Sequence, residues 1–456
     1  MINELRPYQT EVFNAVTDSI SLRRGLNFSV EMARQGGKNE LSAHVELSLL
    51  TAQTSQARDL VKCSPTFIPQ ALISMSRLKD RLDDAGFSRR WASERGYIIR
   101  LGRSRAIFLS ADESSRVVGH TAHLLLEIDE AQDVNKDKYS REFKPMAATT
   151  NATTVLYGTA WDDSTLLEEA KQTNLELERR DGIKRHFSYD WQEVARHNPA
   201  YLVYVEGERQ RLGEDHPLFR TQYRLLPVRA GGGFLSAAQR AQLQGDHARL
   251  HSPQPGHVYV AGIDLAGEAE ELEGQALRSI KPRQDSTVVT IAELHLSPPG
   301  PLQKEPSIRV VEHYAWTGER HSNLYLRLVD LLRSVWHCRR IVVDATGVGQ
   351  PVSSFLHDTL GGAVSPFFFT APSKSELGFN LLAAVNSGRL KIYAPDGSRE
   401  SQNCWSEIEK ARSYYRPSQT MNFYVDPSQG HDDFLMSLAL VVEAASQYEP
   451  RTAKGR

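Results

Sequence analysis

The chain has 456 residues, which at about 100 to 200 residues per domain predicts two or three domains. Hydrophobic residues make up 40% and charged residues 24%, so collagen-like, coiled-coil and wholly disordered chains are excluded. Lys and Arg number 54 against 56 Asp and Glu, a formal net charge of -2; no global basic field points to nucleic acid, and any such contact must be local.

Strands and helices alternate through the first half. Residues 27–31 read as a strand entering a Gly-rich turn, and 40–50 continue with helical apolar spacing. Residues 60–63 read as a strand, 69–82 as a helix, 97–109 as two strands around a GRSR turn, and 124–128 and 153–158 as buried parallel strands. This alternation predicts a parallel α/β sheet whose working edge lies at the strand C-termini. Residues 166–226 are mostly helical and charged, and the pattern breaks at Ala230-Gly231-Gly232-Gly233. The expected division is a domain over 1–229 with a helical lid from about 166, a linker over 230–256, a second domain over 257–447 and a polar tail over 448–456. The second domain opens with an antiparallel meander, 259–265, 287–294 and 308–315. It then alternates: helix 323–335, strand 340–343, helix 352–360, strand 367–369, helix 376–387, strand 391–394, helix 400–415, strand 421–425 and a last helix from 432.

Cys63, Cys338 and Cys404 lie far apart with no CxxC pair, which predicts neither a disulfide framework nor a zinc knot and fits a reducing compartment. The N-terminal MINELRPYQ has no apolar segment of a signal peptide, and the strongest apolar run, 434–445, falls short of the roughly 20 residues that span a bilayer. The expectation is a soluble intracellular protein that is not secreted.

Two constellations carry chemistry. Met32-Ala33-Arg34-Gln35-Gly36-Gly37-Lys38-Asn39 sits where a strand ends and a helix begins, so its N–H groups can cradle phosphates while Lys38 reaches the β- and γ-phosphates. Met32 occupies the first glycine position of the usual pattern, and Asn39 stands where a hydroxyl normally helps hold Mg²⁺. By itself this could be a Gly-rich turn with a surface lysine. About 90 residues on, Asp129 and Glu130 follow the apolar strand HLLLEI; in a P-loop ATPase such an Asp serves Mg²⁺ and such a Glu polarises the attacking water. Thr159, after the strand ending in Tyr157-Gly158, is placed to sense the γ-phosphate, and the Gln9 amide can both donate to and accept from an adenine edge. Arg34 and Arg116 are the arginines best placed in sequence to meet transition-state charge.

In the second domain Asp264 and Asp344 each end a strand, and Asp432 and Asp433 begin the last helix. Each has an ordinary role as a turn or cap residue, but together they can converge on two divalent ions, Mg²⁺ or Mn²⁺, that activate water for phosphodiester cleavage.

On these motifs the chain resembles, over nearly its whole length, the large terminase subunit of tailed double-stranded DNA phages and prophages. The resemblance implies an α/β fold: an N-terminal P-loop ATPase of the ASCE type with a helical lid, then a ribonuclease H-like nuclease. It assigns Gln9 to the adenine motif, Arg34 to Asn39 to the arginine-containing Walker A motif, Asp129 and Glu130 to Walker B and the catalytic glutamate, and Thr159 to the coupling motif. Asp264, Asp344 and Asp432 match the nuclease triad, with Asp433 beside them, and Arg116 matches a finger acting across a subunit boundary. It implies ATP with Mg²⁺ as cofactor, a ring of five subunits on the portal of the procapsid, a small terminase subunit as partner, double-stranded DNA as substrate, and the host cytoplasm as location. Residues 268–284 look like an insertion in the nuclease. Basic stretches at Arg77-Lys79-Arg81, Arg89-Arg90 and Arg100 to Arg105 are candidate phosphate contacts or solvated faces. Two other classes share these features: a repair-type DNA translocase or helicase with a fused nuclease, which needs further helicase motifs that the chain does not show, and a catalytically degenerate prophage DNA-binding protein, to which Met32 and Asn39 point.

Overall fold

The computed structural model describes residues 4–115, 117, 119–228, 231–266, 286–295, 305–319, 321–416 and 418–448. Arg116, the insertion at 268–284 and nearly all of the polar tail lie outside these residues. The chain divides into two units, one of Met1–Glu206, Pro217–Arg229 and Pro417–Gln419, the other of Gly207–His216, Ala230–Arg416 and Thr420–Arg456.

In the first unit, helix α1 (Pro7–Ser21) precedes β1 (Asn27–Met32), α2 (Lys38–Ala52), β2 (Asp59–Ser64) and α3 (Leu72–Leu82). Then follow β3 (Trp91–Glu94), β4 (Ile98–Leu101), β5 (Ser104–Ser110), β6 (Leu125–Ile128), the short α4 (Lys136–Lys138) and α5 (Lys144–Ala148), and β7 (Thr153–Gly158). The unit continues with α6 (Leu166–Asp181), β8 (His186–Tyr189), α7 (Trp191–Arg196), α8 (Pro199–Leu212), whose residues from Gly207 count with the second unit, and α9 (Pro217–Gln222). The eight strands form one sheet in the order β3-β4-β5-β2-β6-β7-β1-β8. From β5 to β8 all neighbours are parallel, while β3 and β4 extend the edge as antiparallel hairpins. The parallel strands are buried along nearly every residue, as strands covered by helices on both faces must be.

Two readings of this half are corrected. The region read as mostly helical, 166–226, contributes β8, which pairs in parallel with β1 through Val30 and Phe187; a four-residue HFSY strand between charged helices is too short to give a periodic signal. The helix expected over 69–82 is regular only from Leu72, because Ile68 keeps an extended backbone in the wide turn before it.

The second unit contains β9 (Gly232–Gly233), α10 (Ala237–Leu243), β10 (Val258–Asp264), β11 (Ser286–His295), β12 (Ser307–Thr317), α11 (His321–Val329), β13 (Arg340–Asp344) and α12 (Gln350–Leu360). It ends with β14 (Val364–Phe367), α13 (Ala371–Asn386), β15 (Leu390–Ile392), α14 (Arg399–Lys410), β16 (Arg412–Tyr415), β17 (Met421–Tyr424) and α15 (Asp433–Ser446). Six strands form a mixed sheet, β14-β13-β10-β11-β12-β15, in which the expected meander β10-β11-β12 is antiparallel and the outer strands are parallel to their neighbours. A small antiparallel sheet, β17-β16-β9, stands apart. The helix expected over 400–415 therefore ends at Lys410: Ala411 leaves helical backbone at ψ 134°, and RSYY pairs with MNFY across a hairpin. Likewise the strand read at 367–369 runs from Val364 to Phe367, and Phe368 is exposed beyond it. The stretch 230–256, read as a linker, supplies β9 and α10 to this unit.

The apolar run at 434–445 is the central helix of this core, and among the described residues no helix is long and apolar enough to cross a membrane. Helix α15 is nearly all buried and lies directly on β10 at Gly262, where a Cβ would stand 2.3 Å from Ser437 O. On the other face Trp336 packs edge-on against Tyr259 at 5.1 Å. All three cysteines are free.

Candidate nucleotide and nuclease sites

The phosphate turn is built by two side chains of α1 and a left-handed backbone. Gln35 and Gly37 have φ of 62° and 96°, which turn successive N–H groups inward before α2 begins at Lys38. A Cβ at Gly37 would meet Gln9 Nε2 at 2.6 Å, and one at Gly36 would meet Ala33 O at 2.7 Å, so both glycines are required. Met32 is the buried last residue of β1, which explains why the first glycine position tolerates a side chain. Tyr8 donates to Gly36 O at 2.7 Å and Gln9 Nε2 to Gly37 O at 3.0 Å, while Gln9 Oε1 accepts from Arg6 N at 2.9 Å. Gln9 thus braces the turn as well as lying beside it. Arg34 is exposed; its N–H donates to Gln222 O, its carbonyl accepts from Tyr201 at 2.8 Å, and its guanidinium donates to Gln222 Oε1 at 2.8 Å. Asn39 is half-buried in the first turn of α2.

Strand order brings the remaining groups to this turn, since β7 stands between β1 and β6 and all three end at the same edge. Lys38 Nζ lies 3.3 Å from Glu130 Oε1. Glu130 adopts a left-handed backbone, φ 43°, immediately after β6, an uncommon conformation that aims its side chain at the lysine. Burial raises the Glu130 carboxyl, but Lys38 and the Gln132 hydrogen bond outweigh it and hold the group below its ordinary range. Asp129 is buried, with Oδ1 accepting from Glu130 N at 3.2 Å, and burial raises its carboxyl against the pull of Lys62. Its carboxylate, and the side-chain oxygen of Asn39 in the first turn of α2, are hard donors of the kind that suits Mg²⁺.

Gln132 is the residue whose role the sequence did not reveal. Its Nε2 donates to Glu130 Oε2 at 2.8 Å and to Asp133 Oδ2 at 3.2 Å, and its Oε1 accepts from Thr159 N at 3.2 Å. It packs so closely on Gly158 that a Cβ there would meet its Oε1 at 2.1 Å. One amide therefore joins the Glu130 carboxylate to the end of β7. Thr159 is buried and placed by this bond.

Behind the turn lies a buried ionic cluster. Lys62 Nζ donates to Ser42 Oγ at 2.7 Å and lies 3.4 Å from Glu46, and Ser42 donates to Glu127 at 2.8 Å. The basic stretches are largely committed to the fold: Arg77 and Arg81 pair with Glu40, Arg81 with Asp84, Arg100 with Glu94, and Arg105 forks onto Asp59.

In the second unit Asp264 and Asp344 end β10 and β13, adjacent parallel strands whose register pairs Ile263 with Val343. Helix α15 starts at the same edge, with Asp432 at its N-cap and Asp433 as its first residue. Asp433 Oδ2 accepts from Ser286 N at 2.8 Å, Asp344 Oδ1 from Thr346 N at 2.8 Å, and Lys374 Nζ lies 4.0 Å from Asp432. Burial drives the Asp264 carboxyl well above its ordinary range, and Asp433, Asp344, Asp432 and Glu407 add to the shift in that order. Glu407 of α14 was not singled out in the sequence. It accepts from Phe434 N at 2.7 Å and Leu435 N at 3.0 Å, capping α15, and is pushed up to about 9 first by burial and then by Asp433 and Asp432. Among the described residues no three acidic or histidine side chains close into a chelating set. The donors are nonetheless all carboxylate oxygens in mutual repulsion, which divalent cations relieve, so the residues fit hard metal ions in kind.

Structures of known proteins align with this arrangement from end to end. The large terminase of a thermophilic bacteriophage matches with a TM-score of 0.56 at 12% identity, over 96% of this chain and 98% of that one. The chain has the fold of a phage large terminase. The terminase of the same phage in complex with ADP gives 0.54 at 12% identity, over 97% and 100%, and its ATP-gamma-S complex gives 0.51 at 12%, over 97% and 99%. No protein-family model and no curated protein matches the chain. The glycine turn with Lys38 and Glu130 lies in the first unit of the chain, and the carboxylate cluster at Asp264 lies in the second. Arg116, the expected finger, is outside the described residues.

Proposed function

We propose that the protein is the large terminase subunit of a phage or prophage: an ATP-driven motor that moves double-stranded DNA into a procapsid and a nuclease that cuts concatemeric DNA. The observation that carries this reading is the co-occurrence, on one terminase-like fold, of a Lys38–Glu130 pair at a glycine-built phosphate turn and a carboxylate cluster at Asp264.

ATP would lie on the turn, with its adenine near Gln9, its phosphates at the N–H groups of 35–39 and its β/γ end at Lys38. Asp129 and Asn39 would hold Mg²⁺, which when bound would neutralise charge at the phosphates. Glu130 leaves Lys38 to orient the attacking water, and Gln132 holds it in place. Loss of the γ-phosphate would be sensed at Thr159 and transmitted through two routes, Gln132 to β7 and the Arg34 backbone to Gln222 in the lid. In the nuclease unit Asp264, Asp344 and Asp432 would hold Mg²⁺ or Mn²⁺, with Asp433 braced by Ser286. Bound ions supply water activation and stabilise the leaving oxygen. The partners of this reading, in the host cytoplasm, are portal, procapsid, small terminase subunit and further copies forming a ring; Arg116 would act between copies.

The experiment has two arms. Purified protein should hydrolyse ATP with DNA stimulation, and Lys38→Ala should lose it. Plasmid should be cut in Mn²⁺ or Mg²⁺, and Asp264→Ala and Asp344→Ala should lose cutting while their circular dichroism stays native. Cutting unchanged in both variants removes the nuclease assignment, and hydrolysis independent of Lys38 removes the motor.

A further inference from the structure

An open cleft of about 470 Å³ in the second unit has one wall formed by α14, and Glu407, Asp433 and Phe434 also line it. Arg399, Asn403, Ser406 and Lys410 line that wall. Their spacing, three and four residues apart, places them on one face of the helix. The opposite face, Ser401, Cys404 and Ile408, is buried and fixes which side looks outward. Arg399, Asn403 and Lys410 are exposed. Thr317 and Gln429 add polar groups across the cleft, and Lys410 Nζ donates to Gln429 O at 3.2 Å, leaving ammonium hydrogens for another acceptor.

The cleft is thus lined by Arg399, Lys410 and neutral donors together with two carboxylates, Glu407 and Asp433, the second next in sequence to Asp432. This chemistry suits a ligand with a line of anionic oxygens that runs along the cations toward Asp432. Donors of this kind hold sugar-phosphate without reading sequence. Arg399 and Lys410 are separated by eleven helical residues, a rise of about 16 Å. That spans about five steps of one strand at 3.4 Å each, a segment of backbone rather than a single nucleotide.

We propose that this cleft is the track for the phosphodiester backbone of the DNA strand that enters the nuclease centre, with Arg399 and Lys410 as its two phosphate contacts. The inference rests on the nuclease reading and names how that site takes its substrate. No residue on the wall is a metal ligand, so binding and cutting separate.

Binding of a fluorescein-labelled duplex to the full chain is measured without divalent cation between about 50 and 200 mM salt. The variants are Arg399→Gln with Lys410→Gln, and Arg399→Lys with Lys410 retained. Each lost phosphate contact flattens the slope of log K against log salt by about 0.9, so the double variant should flatten it by about 1.8, with about tenfold weaker binding at low salt. The Arg399→Lys variant should keep the wild-type slope, since Lys holds a phosphate as a point charge. In Mn²⁺ the double variant should raise the KM for plasmid nicking more than it lowers kcat, and Asp264→Ala should bind normally without nicking. An unchanged slope in the double variant overturns the proposal, as does an equal loss of slope in Arg399→Lys. A wild-type protein that fails to nick defeats the nuclease reading, and the salt slope still decides whether the cleft holds DNA.

Discussion

Gln132 offers the sharpest test of how hydrolysis is organised, because one amide serves three partners. Truncation to alanine removes its donation to Glu130 at 2.8 Å and its acceptance from Thr159 N at 3.2 Å, at a site only 4% exposed. A buried N–H left without an acceptor costs about 1 to 3 kcal/mol, and a hydrogen bond to a charged group contributes about 1.5 to 3 kcal/mol. Allowing for relaxation, Gln132→Ala should lose about 2 kcal/mol of stability, a fall of about 4 to 8 °C in Tm for a unit of this size. The kinetic effect has a separate origin: Glu130 loses the donor to Oε2 that orients its carboxylate beside Lys38. If the 1.5 to 3 kcal/mol of orientation is felt in the transition state, kcat falls about ten- to a hundredfold while the KM for ATP stays within about twofold. Gln132→Glu separates the two effects, since it retains an acceptor for Thr159 but sets a carboxylate against Glu130; it should be nearly as inactive as Glu130→Gln. Steady-state ATPase of the three variants is the assay. Wild-type kcat in Gln132→Ala, beside an inactive Glu130→Gln, would refute the relay.

Two further outcomes concern stability. Glu31 of β1 is buried, with Lys171 at 3.2 Å, and burial raises its carboxyl from 4.5 to about 7 against the pull of Lys171. The folded chain therefore holds a proton that the unfolded chain has released between about 4.5 and 7, so this group's contribution is full below 4.5 and is lost as pH rises, by about 1.4 kcal/mol per pH unit. Glu31→Gln should flatten the urea midpoint across that window; an unchanged slope shows that Glu31 does not titrate there. Lys62 is raised by Glu46, Glu127 and Asp129 despite its burial, which marks it as the charge that compensates this cluster. Lys62→Met should destabilise by about 3 to 5 kcal/mol, and adding Glu46→Gln and Glu127→Gln should recover most of that, since the penalty lies in the stranded carboxylates. Equal midpoints for the single and triple variants would contradict this.

Much of the architecture is written in local pattern. Apolar runs located β1, β2, β6, β7 and the meander, because a buried strand must be apolar along its length, and the glycines at 36 and 37 marked the phosphate turn because no other residue adopts that backbone beneath Gln9. Asp129, Glu130, Asp264, Asp344, Asp432 and Asp433 were legible as carboxylates at strand or helix ends. The structure alone decided three things. Strand β8 and the pairing of β16 with β9 rest on partners distant in sequence, Val30 for Phe187 and Gly232 for Ser413, which no local window contains. Gln132 joined Glu130 to Thr159 only once β7 was placed beside β6, and Glu407 joined the carboxylates of Asp432 and Asp433 only when α14 was laid against the start of α15. The Gln9 amide, read as an adenine contact, also proved to brace the turn that holds the phosphates. Residue identity sets what each group can donate, accept or ionise, and the sheet order sets which groups meet; the first is carried by the chain at every point, whereas the second exists only after strands far apart in sequence have paired.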